Sequence, residues 1–351
     1  MKEFTKEHTL QVKGVAIMLL LFYHLFHEEE VLEKMQVNYA PLSTKTMLNL
    51  AGFGNVCVAI FVMLTAYGLT KMVLSMENAT VKSLCASSVK RLGRLMMSFF
   101  AVYLSINVIC FTIFDYGKLY GSGKQGVLFM LCDAFGLSSI LKTPMLNETW
   151  WYMKIAYILI FLVPFLTLLI KKTGNTLLLL AFLAPFVVIF DGDIERYLFV
   201  AVFGVCAAYG NWQEKIMSKK VPAIVWWLIG IVGMPLAVLI RQNAVVKDYF
   251  WNCVDALIAF FIICITVLTV GKVPVLNKIL AFIGKHSMNI FLMHTFLYLI
   301  VWRKYVYYFE YAFASFFILL LASLIYSVIL ELLKSLIGKI VKKLWKKQNL
   351  L

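Results

Sequence analysis

Charge is scarce in this chain. Only 15% of its 351 residues are Asp, Glu, Lys or Arg, against 62% hydrophobic. Soluble domains run nearer one quarter charged and one half apolar. A water-soluble fold of this length is therefore excluded, because too few polar side chains exist to cover its apolar surface, and length counts membrane spans rather than soluble domains. Acidic residues are scarcer than basic ones, 18 against 33, for a net charge of +15. That excess does not point to nucleic acid. Nucleic-acid binders gather basic residues on one solvated face or arm, whereas here they fall in short groups between apolar runs, which is how membrane topology is encoded.

Other absences narrow the reading further. The seven cysteines (Cys57, Cys85, Cys110, Cys132, Cys206, Cys253 and Cys264) include no pair at metal-clip spacing. Most sit in apolar runs as small hydrophobes, and no metal site is expected. There is no repeat of solenoid period and no obvious matched pair of broken helices of the transporter kind. No small-residue cleavage site follows the first apolar run. His27, Glu28, Glu29 and Glu30 come instead, so that run is expected to stay as a helix rather than leave as a signal peptide. No long soluble domain is expected.

What the chain does have is apolar segments near the roughly 20 residues that cross a bilayer as a helix. Ten are expected: Leu10–His27, Asn49–Val73, Leu92–Phe114, Trp151–Ile170, Thr176–Phe190, Arg196–Asn211, Val221–Ile240, Phe250–Val270, Leu280–Trp302 and Ala312–Leu333. The fifth and sixth are short, and a re-entrant pair is the alternative there. With the N-terminus inside, strict alternation puts 22 of the 33 basic residues but only 5 of the 18 acidic ones on the cytoplasmic side. Glu28 to Glu30, Asp191, Asp193 and Glu195 fall outside. Ten spans with both termini cytoplasmic satisfy the positive-inside rule. The fold class is thus an all-α integral membrane protein. The longest gap, from Asp115 to Trp150, contains an apolar stretch, Gly126 to Leu141. It is too short to span, and lies at the interface or re-enters the bundle.

Ionisable groups within spans are costly and mark functional candidates. The first helix carries two, Lys13 and His24, eleven residues apart. That is about three turns, so both share one face, separated by roughly 16 Å along the axis. Lys13 stands at the cytoplasmic rim and His24 deep in the outer half. A neutral imidazole is suited to taking a proton from a hydroxyl near pH 7. The plainer reading is a histidine satisfied by a polar neighbour.

The run from Lys13-Gly14 through Tyr23-His24 resembles the opening of the acyltransferase 3 family of membrane acyltransferases, in which a cation and Gly precede a His with ten residues between. Phe61 to Leu69, the basic Lys90-Arg91-Leu92-Gly93-Arg94, Trp150-Trp151-Tyr152, and Ser287 to His294 resemble later family segments in the same order. Three positions depart from the pattern. Lys13 stands where Arg is usual, and so lacks the planar fork. Ala66 stands where Gly is frequent, and Glu148-Thr149 precedes Trp150 where His is common.

The resemblance implies one membrane acyltransferase-like domain over residues 1–340, with a short basic tail, 341–351. It implies transfer of an acyl group, usually acetyl, from a coenzyme A thioester to a hydroxyl of a glycan or lipid-linked sugar, in the bacterial cytoplasmic membrane. Acetyl-CoA or another acyl-CoA is a co-substrate, with no permanently bound cofactor. Without an appended esterase-like domain, the protein is expected to act alone or with a separate partner enzyme. His24 would be the catalytic base. Arg91 and Arg94, three apart at the inner rim, would hold donor phosphates or simply anchor the helix, and Lys13 would serve the same donor.

Further cavity-lining candidates are Tyr67, Glu148, Trp150, Asp255, Ser287 and His294. Five of them have a plainer role available: packing for Tyr67, an aromatic belt for Trp150, snorkelling for Asp255, a helix cap for Ser287, a satisfied core histidine for His294. Glu28, one turn past His24, orients the imidazole or belongs to a solvated loop. The competing function is a transporter or flippase using His24, Asp255 and His294 as a proton or substrate path.

Overall fold

A backbone crossing lipid must satisfy its own hydrogen bonds, which leaves the helix as the solution for long apolar runs. The computed structural model describes residues 3–77, 79–184 and 192–348. Among them there is no strand, only an isolated bridge between Asn38 and Tyr311. The helices are α1 (Lys6–Phe26), α2 (Glu29–Lys34), α3 (Thr44–Phe53), α4 (Cys57–Leu74), α5 (Val81–Ile109), α6 (Tyr116–Tyr120), α7 (Gly123–Ala134) and α8 (Ser138–Leu141). They continue as α9 (Tyr152–Thr173), α10 (Thr176–Leu183), α11 (Gly192–Tyr209), α12 (Trp212–Met217), α13 (Ala223–Gln242), α14 (Trp251–Leu268), α15 (Pro274–Lys285), α16 (Ser287–Thr295), α17 (Arg303–Val306) and α18 (Ala312–Gln348).

Local chemistry sets several of these ends. Thr5 caps α1 by accepting from the His8 N–H, and Thr80 caps α5 by accepting from Ser83, each satisfying a donor the first turn leaves open. Pro274 opens α15, where its missing N–H costs nothing.

Among the described residues seven helices are long and apolar enough to cross a membrane: Lys6–Phe26, Thr44–Leu74, Val81–Ile109, Glu148–Thr173, Ala223–Gln242, Trp251–Lys272 and Ala312–Ile340. The other three expected segments differ from full apolar spans for identifiable reasons. The fifth is described as α10 up to residue 184, and residues 185–190 of its expected range, with Asp191 after them, lie outside the described residues. The sixth is α11, whose first turn carries Asp193 and Glu195. The ninth is broken at His286, which ends α15 and precedes α16, and continues as a π-turned stretch, Phe296–Val301. Of the apolar gap, α7 turns Gly126, Asp133 and Ala134 inward and leaves Val127, Leu128 and Leu131 exposed. It is a 12-residue amphipathic helix, too short to span.

α1 stands at the centre, against α3, α4, α14, α15, α16 and α18. Its partnership with α15 depends on two glycines. A Cβ at Gly14 would collide with the Leu280 carbonyl, and one at Gly284 with the Leu10 carbonyl. Lipid supplies no hydrophobic drive between helices, so backbone approach over small residues is what holds them. This gives Gly14 its physical reason for following Lys13: with one face of α1 pressed onto α15, the lysine's direction is fixed. Gly204 of α11 does the same work against Met63 and Ala66 of α4. The close approach of those helices is thus supplied from α11, although Ala66 itself is not Gly.

Candidate active site

His24 lies in the last turn of α1 and faces the bundle. Its ring centroid is 4.8 Å from that of His294 on α16 and 5.9 Å from that of His27. His294 is fully buried. Its Nδ1 lies 2.8 Å from the Phe291 carbonyl and 3.2 Å from that of Ile290. A carbonyl only accepts, so Nδ1 carries the proton and Nε2 keeps a lone pair. That Nε2 is buried with no hydrogen-bond partner among the described residues. His24 likewise makes no hydrogen bond among them. Two imidazoles thus meet with open valences, one of them in a tautomer fixed by its own helix. Glu28 does not orient His24: it pairs with His27 Nε2 at 3.2 Å, because the helix ends at Phe26 and turns the chain away.

At the other end of the same face, Lys13 lines a cavity of about 170 Å³ between α1, α4, α5, α9 and α16. Its polar wall is Lys13, Thr65, Tyr152 and Ser287, and its apolar wall includes Phe61, Leu95 and Phe291. Among the described residues Lys13 makes no ion pair and no hydrogen bond. Ser287 is the first residue of α16 and gives no side-chain cap to it, so its hydroxyl is available to the cavity. Phe291 stands between the two sites: it lines the cavity, and its ring lies 6.2 Å from His294 and 5.2 Å from Tyr152. Ser287, Phe291 and His294 follow at helical spacing on one face.

Arg91 and Arg94 sit on α5 before Leu95, which lines that cavity. Arg91 is half-buried, with Nη2 directed at the Met72 sulfur. Arg94 is exposed, and its Nε donates to the Lys90 carbonyl at 3.3 Å. Neither pairs with a carboxylate among the described residues.

Four candidates lie away from this cavity. The Tyr67 hydroxyl donates to buried Glu214, which also pairs with Lys71 at 2.8 Å. Glu148 is exposed on the turn before Trp150. Trp150 belongs to no interfacial belt: it is buried, packs on Phe99 and Phe296, and donates its indole N–H to the Leu292 carbonyl at 3.0 Å. Asp255 does not snorkel. It is buried and gripped by Arg241, Nε to Oδ1 at 2.7 Å and Nη2 to Oδ2 at 3.2 Å.

The acyltransferase domain that defines one family of membrane enzymes matches residues 11–332. The chain belongs to the acyltransferase 3 family. No curated protein and no solved structure matches it. As a multi-pass membrane acyltransferase, it has Lys13 and His24 on one face of α1, with a cavity at the lysine and a second imidazole at the histidine.

Sequence reasoning missed Thr65, Tyr152 and Phe291 as cavity walls, and Arg196 and Arg241 as partners of Asp255. Thr65 and Tyr152 lay within segments already noted, and their polarity inside apolar runs was the available signal. Arg196 opens one apolar segment and Arg241 follows the end of another, and nothing in their spacing shows that they turn inward.

Proposed function

We propose that this acyltransferase moves an acetyl group from a coenzyme A thioester, arriving from the cytoplasm at the Lys13 end, to a hydroxyl of a membrane-associated or extracytoplasmic glycan at the His24 end. The topology read from charge, about ten spans with both termini cytoplasmic, puts the donor on the basic side of a bacterial cytoplasmic membrane. Lys13, unpaired at the cavity, meets an anionic or carbonyl oxygen of the donor. Arg91 and Arg94, free of carboxylates at the rim, take its phosphates through charge-assisted hydrogen bonds. The thioester arm occupies the cavity lined by Phe61, Leu95 and Phe291, and its carbonyl passes Phe291 to reach the histidines.

There the acceptor oxygen attacks the thioester carbon, and His24 takes the hydroxyl proton. The carbon–sulfur bond then breaks, and the imidazolium returns the proton to the departing thiolate. The products are the ester and coenzyme A thiol. The Nε2 lone pair of His294 offers His24 an acceptor, which favours one tautomer and one orientation, as a carboxylate does for other catalytic imidazoles.

The observation that carries this reading is the meeting of two unsatisfied imidazoles one partition away from a cavity walled by a lone ammonium. The test uses purified protein in lipid with labelled acetyl-coenzyme A, following thioester loss and label transfer with and without a glycan acceptor. Wild type should transfer label and His24→Ala should not. Equal behaviour of the two, with solute movement intact, would instead support the transporter reading.

A further inference from the structure

A second polar chamber opens at the His24 end. The π-turned stretch Val246–Phe250 and the first turns of α11 and α14 line an open hollow of about 410 Å³. Its walls carry Arg196, Lys247, Tyr249, Trp251 and Asn252, with exposed Glu195 also lining it.

The charges here do not balance. Asp255 gives both oxygens to Arg241, whose Nη1 also donates to the Gly52 carbonyl at 2.9 Å. Arg196 is left with the same carboxylate at 3.9 Å, too far for a hydrogen bond. Its Nε and Nη2 are buried without hydrogen-bond partners, as is the Trp251 indole N–H. The Trp251 ring holds both guanidiniums, each 4.7 Å from its centroid, and the Tyr197 ring lies 5.3 Å from that of Arg196. Stacking fixes the plane of Arg196 but satisfies none of its N–H groups. Lys247 adds a second cation, with its Nζ on Gln242 rather than on a carboxylate.

The orphaned groups of Arg196 and Trp251 are all donors, the orphaned Tyr197 hydroxyl beside them can donate as well as accept, and a surplus positive charge accompanies them. Such a set is completed by acceptor oxygens carrying negative charge, and a planar guanidinium suits the paired oxygens of a carboxylate or phosphate. Exposed Tyr249 supplies an aromatic face of the kind a sugar ring packs against. The chamber also adjoins the reacting end of α1. Tyr23, the residue before His24, packs on Gly54, next to the Phe53 carbonyl that accepts from Arg241.

We propose that this chamber is an acceptor subsite for an oxyanion, so that the preferred glycan carries a carboxylate or phosphate near the hydroxyl that is acylated. This rests on the acyl-transfer reading above for the identity of its ligand as acceptor. Oxyanion binding itself does not depend on that chemistry.

The test measures ligand-dependent thermal stabilisation of the full chain in lipid nanodiscs at fixed ionic strength, with chloride making up the balance. The probes are D-glucuronate, inorganic phosphate and neutral D-glucose. Glucuronate or phosphate should raise the unfolding midpoint saturably and glucose should not. Arg196→Gln should lose the shift, and Arg196→Lys should keep part of it. Asn252→Asp leaves the guanidinium stack in place and sets a negative charge in the wall. It should weaken the anion by at least about tenfold, which guards against a folding defect in the arginine variants. A response to glucuronate alone assigns a carboxylate, and a response to phosphate alone assigns a phosphate.

Equal midpoints with anion and chloride, or an anion response unchanged in Arg196→Gln and Asn252→Asp, overturn the proposal. His24→Ala should bind the anion as wild type does. If label transfer fails for every acceptor while that binding persists, the acyl-transfer reading falls and the oxyanion site stands.

Discussion

Two of the polar regions inside this bundle are built in opposite ways. Around Asp255 the carboxylate is closed off: Arg241 grips both its oxygens, and backbone carbonyls of α3 take what remains of that guanidinium. Along the α1 face, Lys13 has no partner among the described residues, His24 has none, and His294 holds an empty lone pair. Burying a polar group without a partner costs free energy, so a protein keeps open valences where a substrate will fill them. Lys71 makes the same point on α4. It too is a partly buried lysine, but Glu214 neutralises it and Asn211 takes a second of its three N–H donors.

The contrast predicts which property each substitution damages. His24→Ala should lower acyl transfer by about 100- to 10,000-fold, the range that a positioned general base supplies, while the unfolding midpoint in lipid stays near that of wild type. Asp255→Ala should do the reverse. It leaves two guanidiniums without their carboxylate and should cost about 3–5 kcal/mol of stability, read as a lower midpoint and a reduced folded yield. If Asp255→Ala were stable and His24→Ala unfolded, the assignment of closed and open regions would be inverted.

Lys13 sharpens the comparison at intermediate size. A hydrogen bond to a charged group is worth about 1.5–3 kcal/mol. Lys13→Ala should therefore raise the donor KM by about 10- to 100-fold with little change in stability. Lys13→Arg should retain more activity because it keeps the charge, although the wider fork must fit beside Ser287. Equal losses in the two variants would mean that the cavity requires the shape of the ammonium rather than its sign.

The parts of this architecture legible in the sequence are those written along one helix. Lys13 and His24 share a face because eleven residues make about three turns, and α1 obeys that arithmetic. Apolar run length likewise located the seven long helices. Contacts between helices leave weaker traces. Arg241 and Asp255 meet from neighbouring helices across a loop, and Arg196 joins them from a third. Charge counting assigns such residues to a side of the membrane without saying whether they turn inward. The break at His286 is similarly silent. Leu280–Trp302 reads as one apolar run, yet His286 bonds Ser327 and Asn289 bonds Ser327 and Glu331 of α18, and these partners appear only once α18 has packed.

The smallest effect is expected outside the spans, where Asp133 of α7 offers a closed site that can be titrated. It is buried, accepting from the Tyr120 hydroxyl at 2.6 Å and the Leu146 N–H at 2.7 Å. Burial nevertheless wins over those hydrogen bonds and pushes its carboxyl up from 3.8 to about 6. Between those values the folded protein keeps the proton and the unfolded chain has released it. Stability from this group is therefore present below about pH 4 and is lost as pH rises through about 6, by on the order of 1–3 kcal/mol. Asp133→Asn keeps an oxygen for Tyr120 and Leu146 but cannot ionise. The difference in unfolding midpoint between wild type and Asp133→Asn should therefore grow in favour of the variant from pH 4 to pH 6.5 and be constant above. Taking the difference cancels the histidines, which titrate in both proteins. A difference that ran the other way would mean that the hydrogen bonds outweigh desolvation, and that the Asp133 carboxylate is held charged.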